Sequence, residues 1–203
     1  PEVDIDLVLY IQQVNWPSTA TVNLQPSLKS LGVGLVPKVL EEDKTVWQIS
    51  FSAIEIKLFQ DIDADGGIRR KLLRVAKYLK LATKWPKTLS SYNLKTIIMK
   101  LNQNNPEKAF WSEEKLVARF RDLMRILLKS LETSNMPSFF IPSFNLFAGK
   151  DMKEALKTVQ KLITTIETNP NSLLPPPPTT CNRKTSASNN PLKKRSLKEK
   201  LLG

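Results

Sequence analysis

The sequence predicts an α+β fold in which a few antiparallel or mixed strands precede a lobe of helices. Two segments, residues 3–10 and 46–52, alternate apolar and polar side chains as strands do. Beyond them, apolar residues recur at helical spacing up to residue 167. Four consecutive prolines and a basic Ser/Thr/Asn-rich run follow. We therefore expect strands in residues 1–57, a helical lobe in 58–168 and a disordered Pro-rich, basic tail in 169–203.

The chain is strongly basic, and the excess charge is concentrated in one region. Its 31 Lys and Arg residues outnumber 19 Asp and Glu, which leaves a net charge of +12 over 203 residues. Residues 69–100 contain ten Lys and Arg and no acid. This surplus favours a polyanionic partner, with nucleic acid first and an anionic membrane surface second. A basic protein without such a partner is the alternative.

The amino acids that are absent exclude several chemistries. With no His and a single Cys, the chain cannot build a Ser-His-Asp triad, a Cys-His dyad or a His- or thiolate-based zinc site. Carboxylates, lysines, arginines and hydroxyls remain, which is the set used around phosphates with an oxygen-liganded metal. No apolar run reaches membrane-spanning length and no signal pattern is present, so we expect a cytoplasmic protein, or a nuclear one.

The first strand carries a pair of acids. Alternation places Asp4 and Asp6 on one face, with Val3, Ile5 and Leu7 on the other. Adjacent carboxylates repel each other unless a cation lies between them, and a divalent metal is the natural one. An exposed edge-strand face is the alternative. A chain that starts this close to Asp4 is interpreted as a fragment of something longer.

The later strands precede a capped helix. The apolar segment at residues 35–39 contains a proline, which has no N–H to donate, so we expect an edge or irregular strand there. In residues 46–52, alternation directs Trp47, Ile49 and Phe51 one way and the polar residues the other, suited to line a pocket; these are Gln48, Ser50 and Ser52. The spacing of Ser52 and Glu55 predicts a capping box.

A basic helix is expected from Ile68 to Trp85. Its buried stripe should contain or adjoin Ile68, Leu72, Leu73, Ala76, Leu79 and Leu81. The other faces carry Arg69, Arg70, Lys71, Arg74, Lys77, Lys80 and Lys84, without neighbouring acids to pair with. The preceding residues 61–67 lack the further ligands of an EF-hand, so we interpret them as a turn.

A second helix is expected to begin at Ser90 or Ser91. Hydroxyls there cap free N–H groups, and a helix N-terminus favours a bound phosphate. Lys95 falls one turn later on the face of Ser91 and adds a positive charge. An ordinary N-cap followed by a solvated lysine is the alternative.

Two further helices complete the expected lobe. The helix of Ser90 should end at Asn105-Pro106, and Ser112 should cap a long amphipathic helix. The apolar, proline-broken residues 135–147 should pack across helices, and residues 150–167 form the last helix.

Four segments, in this order, resemble the nucleotidyltransferase superfamily of cyclic GMP-AMP synthase and its animal relatives, the male-abnormal (Mab) group. They are residues 3–7 with Trp16-Pro17, residues 35–38, residues 47–52 with Glu55, and residues 90–96 followed by 140–142 and 144–147. The resemblance covers residues 1 to about 150. It implies that residues 1–57 are the C-terminal part of a nucleotidyltransferase core.

The resemblance also implies roles for individual residues. Asp4 is similar to the third of the family's metal-binding catalytic carboxylates, the first two of which lie on an earlier strand that this stretch lacks. A two-metal site with Mg²⁺ or Mn²⁺ is thereby implied. Nucleotide contacts are implied for Gln48, Ser50, Ser52, Glu55, Lys77, Ser91 and Lys95. Gln48 stands where the vertebrate enzyme has an arginine, which bears on base choice or product linkage.

The resemblance is to the zinc-free branch, because residues 60–67 offer no ligand for the vertebrate zinc clip. It implies an innate immune sensor that joins ATP and GTP into a cyclic dinucleotide when double-stranded RNA, or DNA, activates it, with dimers on the nucleic acid possible. We expect the duplex to contact Arg69, Arg70, Lys71 and Arg74. A catalytically inactive adaptor that keeps the pocket, and a basic helical module without nucleotide chemistry, are the alternatives.

Overall fold

A computed structural model describes residues 16–40 and 44–173 of the chain. Asp4 and Asp6, and the expected tail from residue 174 onward, lie outside the described residues. Within the described part the predicted fold class is confirmed: a small antiparallel sheet precedes a set of helices. The expected boundary at residue 57 falls inside a helix, and the division into three parts stays a prediction.

The sheet of the described residues is a two-stranded hairpin. Strand β1 (Gly34–Leu40) pairs with β2 (Lys44–Ser50), with Gly34 opposite Ser50. Pro37 lies inside β1, which is nevertheless regular, because an edge strand has one side that needs no N–H donor. Trp47, on the expected apolar face of this segment, is 48% exposed. Phe51, directly after β2, is buried.

The described residues form six α-helices, and their bounds differ in places from the predicted ones. They are α1 Pro26–Lys29, α2 Ser52–Asp61, α3 Arg69–Ala82, α4 Ser91–Asn104, α5 Leu116–Glu132 and α6 Lys153–Thr168. The sequence pattern missed α1 and the short 3-10 helices Lys108–Trp111, Glu113–Lys115 and Pro170–Leu173. Ser112 therefore caps a 3-10 turn, and the long helix begins at Leu116.

Helix α4 is the centre of the helical lobe. It packs against α3 and α5, and α5 packs against α6. Seven of its residues are buried, more than one amphipathic stripe requires; they are Asn93, Leu94, Thr96, Ile97, Ile98, Met99 and Leu101. On α3 the predicted stripe is confirmed except at Leu81, which is 77% exposed. No helix in the described part of the chain has the length and apolar character needed to cross a membrane.

The loop between α5 and α6 packs across the helices, as predicted. The side chain of Asn145 fixes its shape: the amide oxygen accepts hydrogen bonds from the N–H groups of Met136 and Phe147, at 2.9 and 3.0 Å. This arrangement buries Phe147 and also Phe140, whose ring stacks on that of Phe51 at 4.3 Å. The loop thereby attaches the end of β2 to the helical lobe.

The acidic turn before α3 caps that helix. The carboxylate of Asp63 accepts hydrogen bonds from the backbone N–H groups of Arg69 and Arg70, both at 3.0 Å. Asp65 accepts one from the backbone N–H of Gly67, at 2.8 Å. A Cβ at Gly67 would meet the guanidinium of Arg69, so the turn requires glycine there. The turn thus does more than reverse the chain, because its hydrogen bonds also fix the orientation of the first residues of α3.

Candidate functional site

The N-terminus of α4 has the predicted hydroxyl cap. Ser90 is the N-cap, and the Asn93 side-chain oxygen accepts hydrogen bonds from the Ser90 N–H and hydroxyl, at 2.7 and 3.0 Å. Asn93 in turn donates to the sulfur of Met136 at 3.5 Å, which joins the cap to the loop after α5. The cap leaves Ser91, the first residue of α4, half-exposed at the helix start.

Lys95 extends from α4 to α2, where it meets a carboxylate. Its ammonium group lies 2.9 Å from the carboxylate of Glu55, and the two side chains are 31% and 9% exposed. The predicted capping box between Ser52 and Glu55 is therefore wrong. Phe51, not Ser52, is the N-cap of α2, and Glu55 turns away from its own helix start toward α4. The ion pair joins two residues that we had predicted separately as nucleotide contacts.

A cleft of about 290 Å³ lies between α2 and α3 beside this ion pair. Its lining includes three apolar residues, Ile56, Phe59 and Leu73. The other lining residues are polar or charged; these are Glu55, Gln60, Arg70, Arg74 and Lys95. With three cations and one carboxylate, the cleft has a net positive charge. Its volume is near the lower limit for a small-molecule pocket. The arrangement is suited to a ligand that presents negative charge.

The four arginines and lysines predicted to contact nucleic acid do not form one surface. Arg70 and Arg74 are exposed and have no ion pair among the residues that the structure describes. Lys71 instead pairs with Glu113. Arg69 is 1% exposed, with its Nη1 and Nε donating to Asp65 and Asn102, so its side chain is not available to a duplex. Asp65, which pairs with Arg69, lies in the turn before α3, and Glu113, which pairs with Lys71, lies in the segment before α5.

Lys77 and the strand residues lie outside the cleft lining. Lys77 follows Arg70 and Arg74 at helical spacing on α3, is half-buried, and has no ion pair within the described part of the chain. The hydroxyls of Ser50 and Ser52 are hydrogen-bonded to each other at 3.2 Å, and both side chains are half-buried. Gln48 is exposed on β2. Their predicted contacts with nucleotide stay predictions.

Tyr92 is a candidate functional residue that the sequence pattern did not indicate. Burial raises the pKa of its phenol, the Glu55 carboxylate adds to the rise, and a hydrogen bond with Ser138 lowers the pKa. The tyrosine therefore lies near the Glu55–Lys95 ion pair and stays protonated at neutral pH. Its position directly after Ser91 was the available signal, because a side chain in the first turn of α4 lies next to the cap.

The described residues do not by themselves form a metal site. Residues 16–40 and 44–173 contain no group of three His, Cys, Asp or Glu side chains placed to hold a metal ion. Asp4, the one predicted metal ligand, lies outside these ranges. The expectation of Mg²⁺ or Mn²⁺ is therefore not tested by the described side chains.

A comparison with known protein families gives a match to the helical part of the chain. Residues 68–164 match the family model described as the Mab-21 protein HhH/H2TH-like domain. The match begins one residue before α3 and ends inside α6, so it includes Arg70, Arg74, Lys77, Ser91 and Lys95. Glu55 and the sheet precede it. The α+β arrangement is consistent with a C-terminal part of such a protein.

Proposed function

We propose that this chain is part of a nucleic-acid-activated nucleotidyltransferase. The premise is the Mab-21 domain match, which supports the Mab-21 and cyclic GMP-AMP synthase-like nucleotidyltransferase family. Its reaction joins ATP and GTP into a cyclic dinucleotide, and its activator is a double-stranded nucleic acid, with RNA favoured over DNA. The observation that carries the proposal is the single cleft at which Arg70 and Arg74 lie beside Glu55 and Lys95.

The nucleotide part of the proposal rests on the start of α4. The cap formed by Ser90 and Asn93 leaves the positive end of the helix dipole at Ser91, which favours a phosphate there. Lys95 and Lys77 would add positive charge to a bound triphosphate. Gln48, Ser50, Ser52 and Glu55 are proposed to complete the pocket wall from the strand side.

The metal part of the proposal rests on residues beyond the described side chains. Asp4 would hold Mg²⁺ or Mn²⁺ together with two carboxylates that the resemblance places on an earlier strand. When bound, two such ions would neutralise phosphate charge and lower the pKa of the attacking ribose hydroxyl. The residues of the helical lobe would bind and orient the nucleotide.

The activator part of the proposal rests on the exposed cations of α3. Recognition of a double-stranded RNA by shape requires cations that face phosphates and needs no contact with base edges. Arg70 and Arg74 meet that requirement, and charge that no acid among the described residues compensates favours a polyanion. A cytoplasmic location, with the nucleus as the second possibility, is part of the same proposal.

The decisive experiment is a product assay on the full-length protein. Labelled ATP and GTP are incubated with Mg²⁺ or Mn²⁺, with and without double-stranded RNA or DNA, and products are separated by chromatography. A labelled cyclic dinucleotide that requires the duplex supports the proposal. Duplex binding without any nucleotide product would replace it with a catalytically inactive adaptor, which the unpaired Arg70 and Arg74 would equally serve.

A further inference from the structure

The cleft between α2 and α3 holds its cations in two different states. Arg70 and Arg74 have no carboxylate within ion-pair distance in the described part of the chain, whereas Lys95 is paired with Glu55 at 2.9 Å. The charge of Lys95 is therefore already compensated before any ligand arrives. A ligand that enters the cleft therefore meets two available cations, Arg70 and Arg74. The third cation, Lys95, is paired with a carboxylate.

We infer that this cleft is a backbone-phosphate site for duplex RNA in which Glu55 competes with the phosphate for Lys95. The inference rests on the proposed function, because it takes the duplex as the ligand. It goes beyond that function by assigning Glu55 a role that opposes duplex binding. In the resting protein Glu55 pairs with Lys95, and in the complex it keeps competing for the Lys95 ammonium group with a phosphate that Arg70 and Arg74 hold.

Three features of the ion pair support this competition. The Glu55 carboxylate is largely buried, so it cannot leave the cleft to make room for a second anion. The Lys95 side chain is 31% exposed and flexible, so its ammonium group can move between two acceptors. A phosphate brings more negative charge than the carboxylate that it displaces, and the neighbouring arginines stabilise it further.

Transfer of Lys95 to a phosphate would leave Glu55 without its counter-ion. An unpaired, buried carboxylate is costly, so duplex binding would be weaker than the three cations alone suggest. Because Glu55 and Lys95 are also proposed nucleotide contacts, duplex and nucleotide binding would be coupled through this pair, and the coupling would act in both directions.

The test measures how duplex binding depends on salt. A fluorescein-labelled RNA duplex of about 20 base pairs is longer than the roughly 16 that an RNA-binding domain covers. It is titrated with the full-length protein by fluorescence anisotropy over a range of KCl concentrations. The slope of log Kd against log salt counts the phosphates neutralised, at about one unit per cation. We expect Glu55→Gln to steepen this slope by about one unit or less and to tighten binding by about threefold.

A matched control separates the local effect from net charge. Asp61→Asn also removes one carboxylate from a lysine ion pair, at Lys57 on α2, but that pair does not line the cleft. It should leave the salt slope unchanged. The double variant Glu55→Gln with Lys95→Gln should return the slope to that of the wild type, because the freed cation is then missing. Circular dichroism confirms that each variant is folded.

Two outcomes would overturn the inference. Equal slopes for Glu55→Gln and Asp61→Asn would mean that only net charge matters, and duplex binding through Arg70 and Arg74 would still stand. An unchanged slope on replacing both Arg70 and Arg74 with Gln, where a loss of about two units is expected, would move the duplex away from this cleft altogether. Product formation is measured separately, so a failure here is distinct from a failure of the proposed reaction.

Discussion

The guanidinium of Arg69 lies under the acidic turn before α3, where its Nη1 donates a hydrogen bond of 2.7 Å to the carboxylate of Asp65. Its Nε donates to the side chain of Asn102 on α4, also at 2.7 Å, and its Cζ lies 4.8 Å from the ring centre of Trp111. One buried cation thus connects the turn, α4 and the segment before α5. The next residue, Arg70, has an exposed side chain that faces the cleft.

Replacing Arg69 with Met should destabilise the protein, and replacing Arg70 with Met should not. Loss of a buried cation leaves its carboxylate and amide partners without their hydrogen bonds, so we expect Arg69→Met to lower the free energy of unfolding by about 3 kcal/mol. Arg70→Met should change it by less than about 0.5 kcal/mol. Urea denaturation measures both. Equal effects would show that the buried network does not stabilise the turn.

The stacked rings of Phe51 and Phe140 should carry much of the attachment between the sheet and the helical lobe. Phe140 is fully buried, so Phe140→Ala should cost about 3–5 kcal/mol of unfolding free energy. Phe144 lies in the same loop but is 52% exposed, and Phe144→Ala should cost less than about 1 kcal/mol. Thermal denaturation of the two variants makes the comparison, and a similar loss in both would contradict the assignment of the contact.

The phenol of Tyr92 should make stability fall at high pH. Burial raises its pKa above the ordinary 10.0, so the folded state keeps the proton that the unfolded state loses. Its contribution is fully present below about pH 10 and is lost as pH rises through the folded pKa. Burial lowers the pKa of Lys100, so the effect of Lys100 is to raise the free energy of unfolding as pH increases toward its ordinary pKa of 10.5.

A Tyr92→Phe variant isolates the phenol, because Lys100 is the same in both proteins. The difference in unfolding free energy between wild type and variant should shrink as pH rises from about 9 to 11. Urea denaturation at several pH values measures it. A difference that stays constant would mean that the phenol titrates alike in the folded and unfolded states.

Asp4 should be required for product formation in the full-length protein. As a proposed metal ligand it would stabilise charge during the reaction, so Asp4→Asn should reduce cyclic dinucleotide synthesis by at least about a hundredfold. Glu132→Gln, which changes an exposed carboxylate at the end of α5, serves as the control and should retain activity. Equal thermal stability of the two variants shows that both are folded. Synthesis that persists in Asp4→Asn would remove Asp4 from the site.

Much of the helical lobe follows from local pattern. The spacing of apolar residues placed α3 and α4 within three residues of their observed bounds, and Asn105 marked the end of α4. These features could be predicted because turn chemistry and helical periodicity act over a few residues. The exposure of Trp47 and Leu81 could not, because burial depends on which other element covers a face.

The candidate site also combines features that the sequence determines with features that only the tertiary structure decides. Residue type and spacing were enough to indicate the α+β class, the hydroxyl cap at Ser90 and a basic helix that favours anions. The partner of each charge was decided by the fold: Arg69 is buried with Asp65, and Lys95 is paired with Glu55. Arg70 and Arg74 have no ion pair in the described part of the chain. Lys95 and Glu55 are 40 residues apart, and no local pattern relates them. Coulomb attraction acts on distance in space, and the tertiary fold brings these two side chains, one on α2 and one on α4, to 2.9 Å.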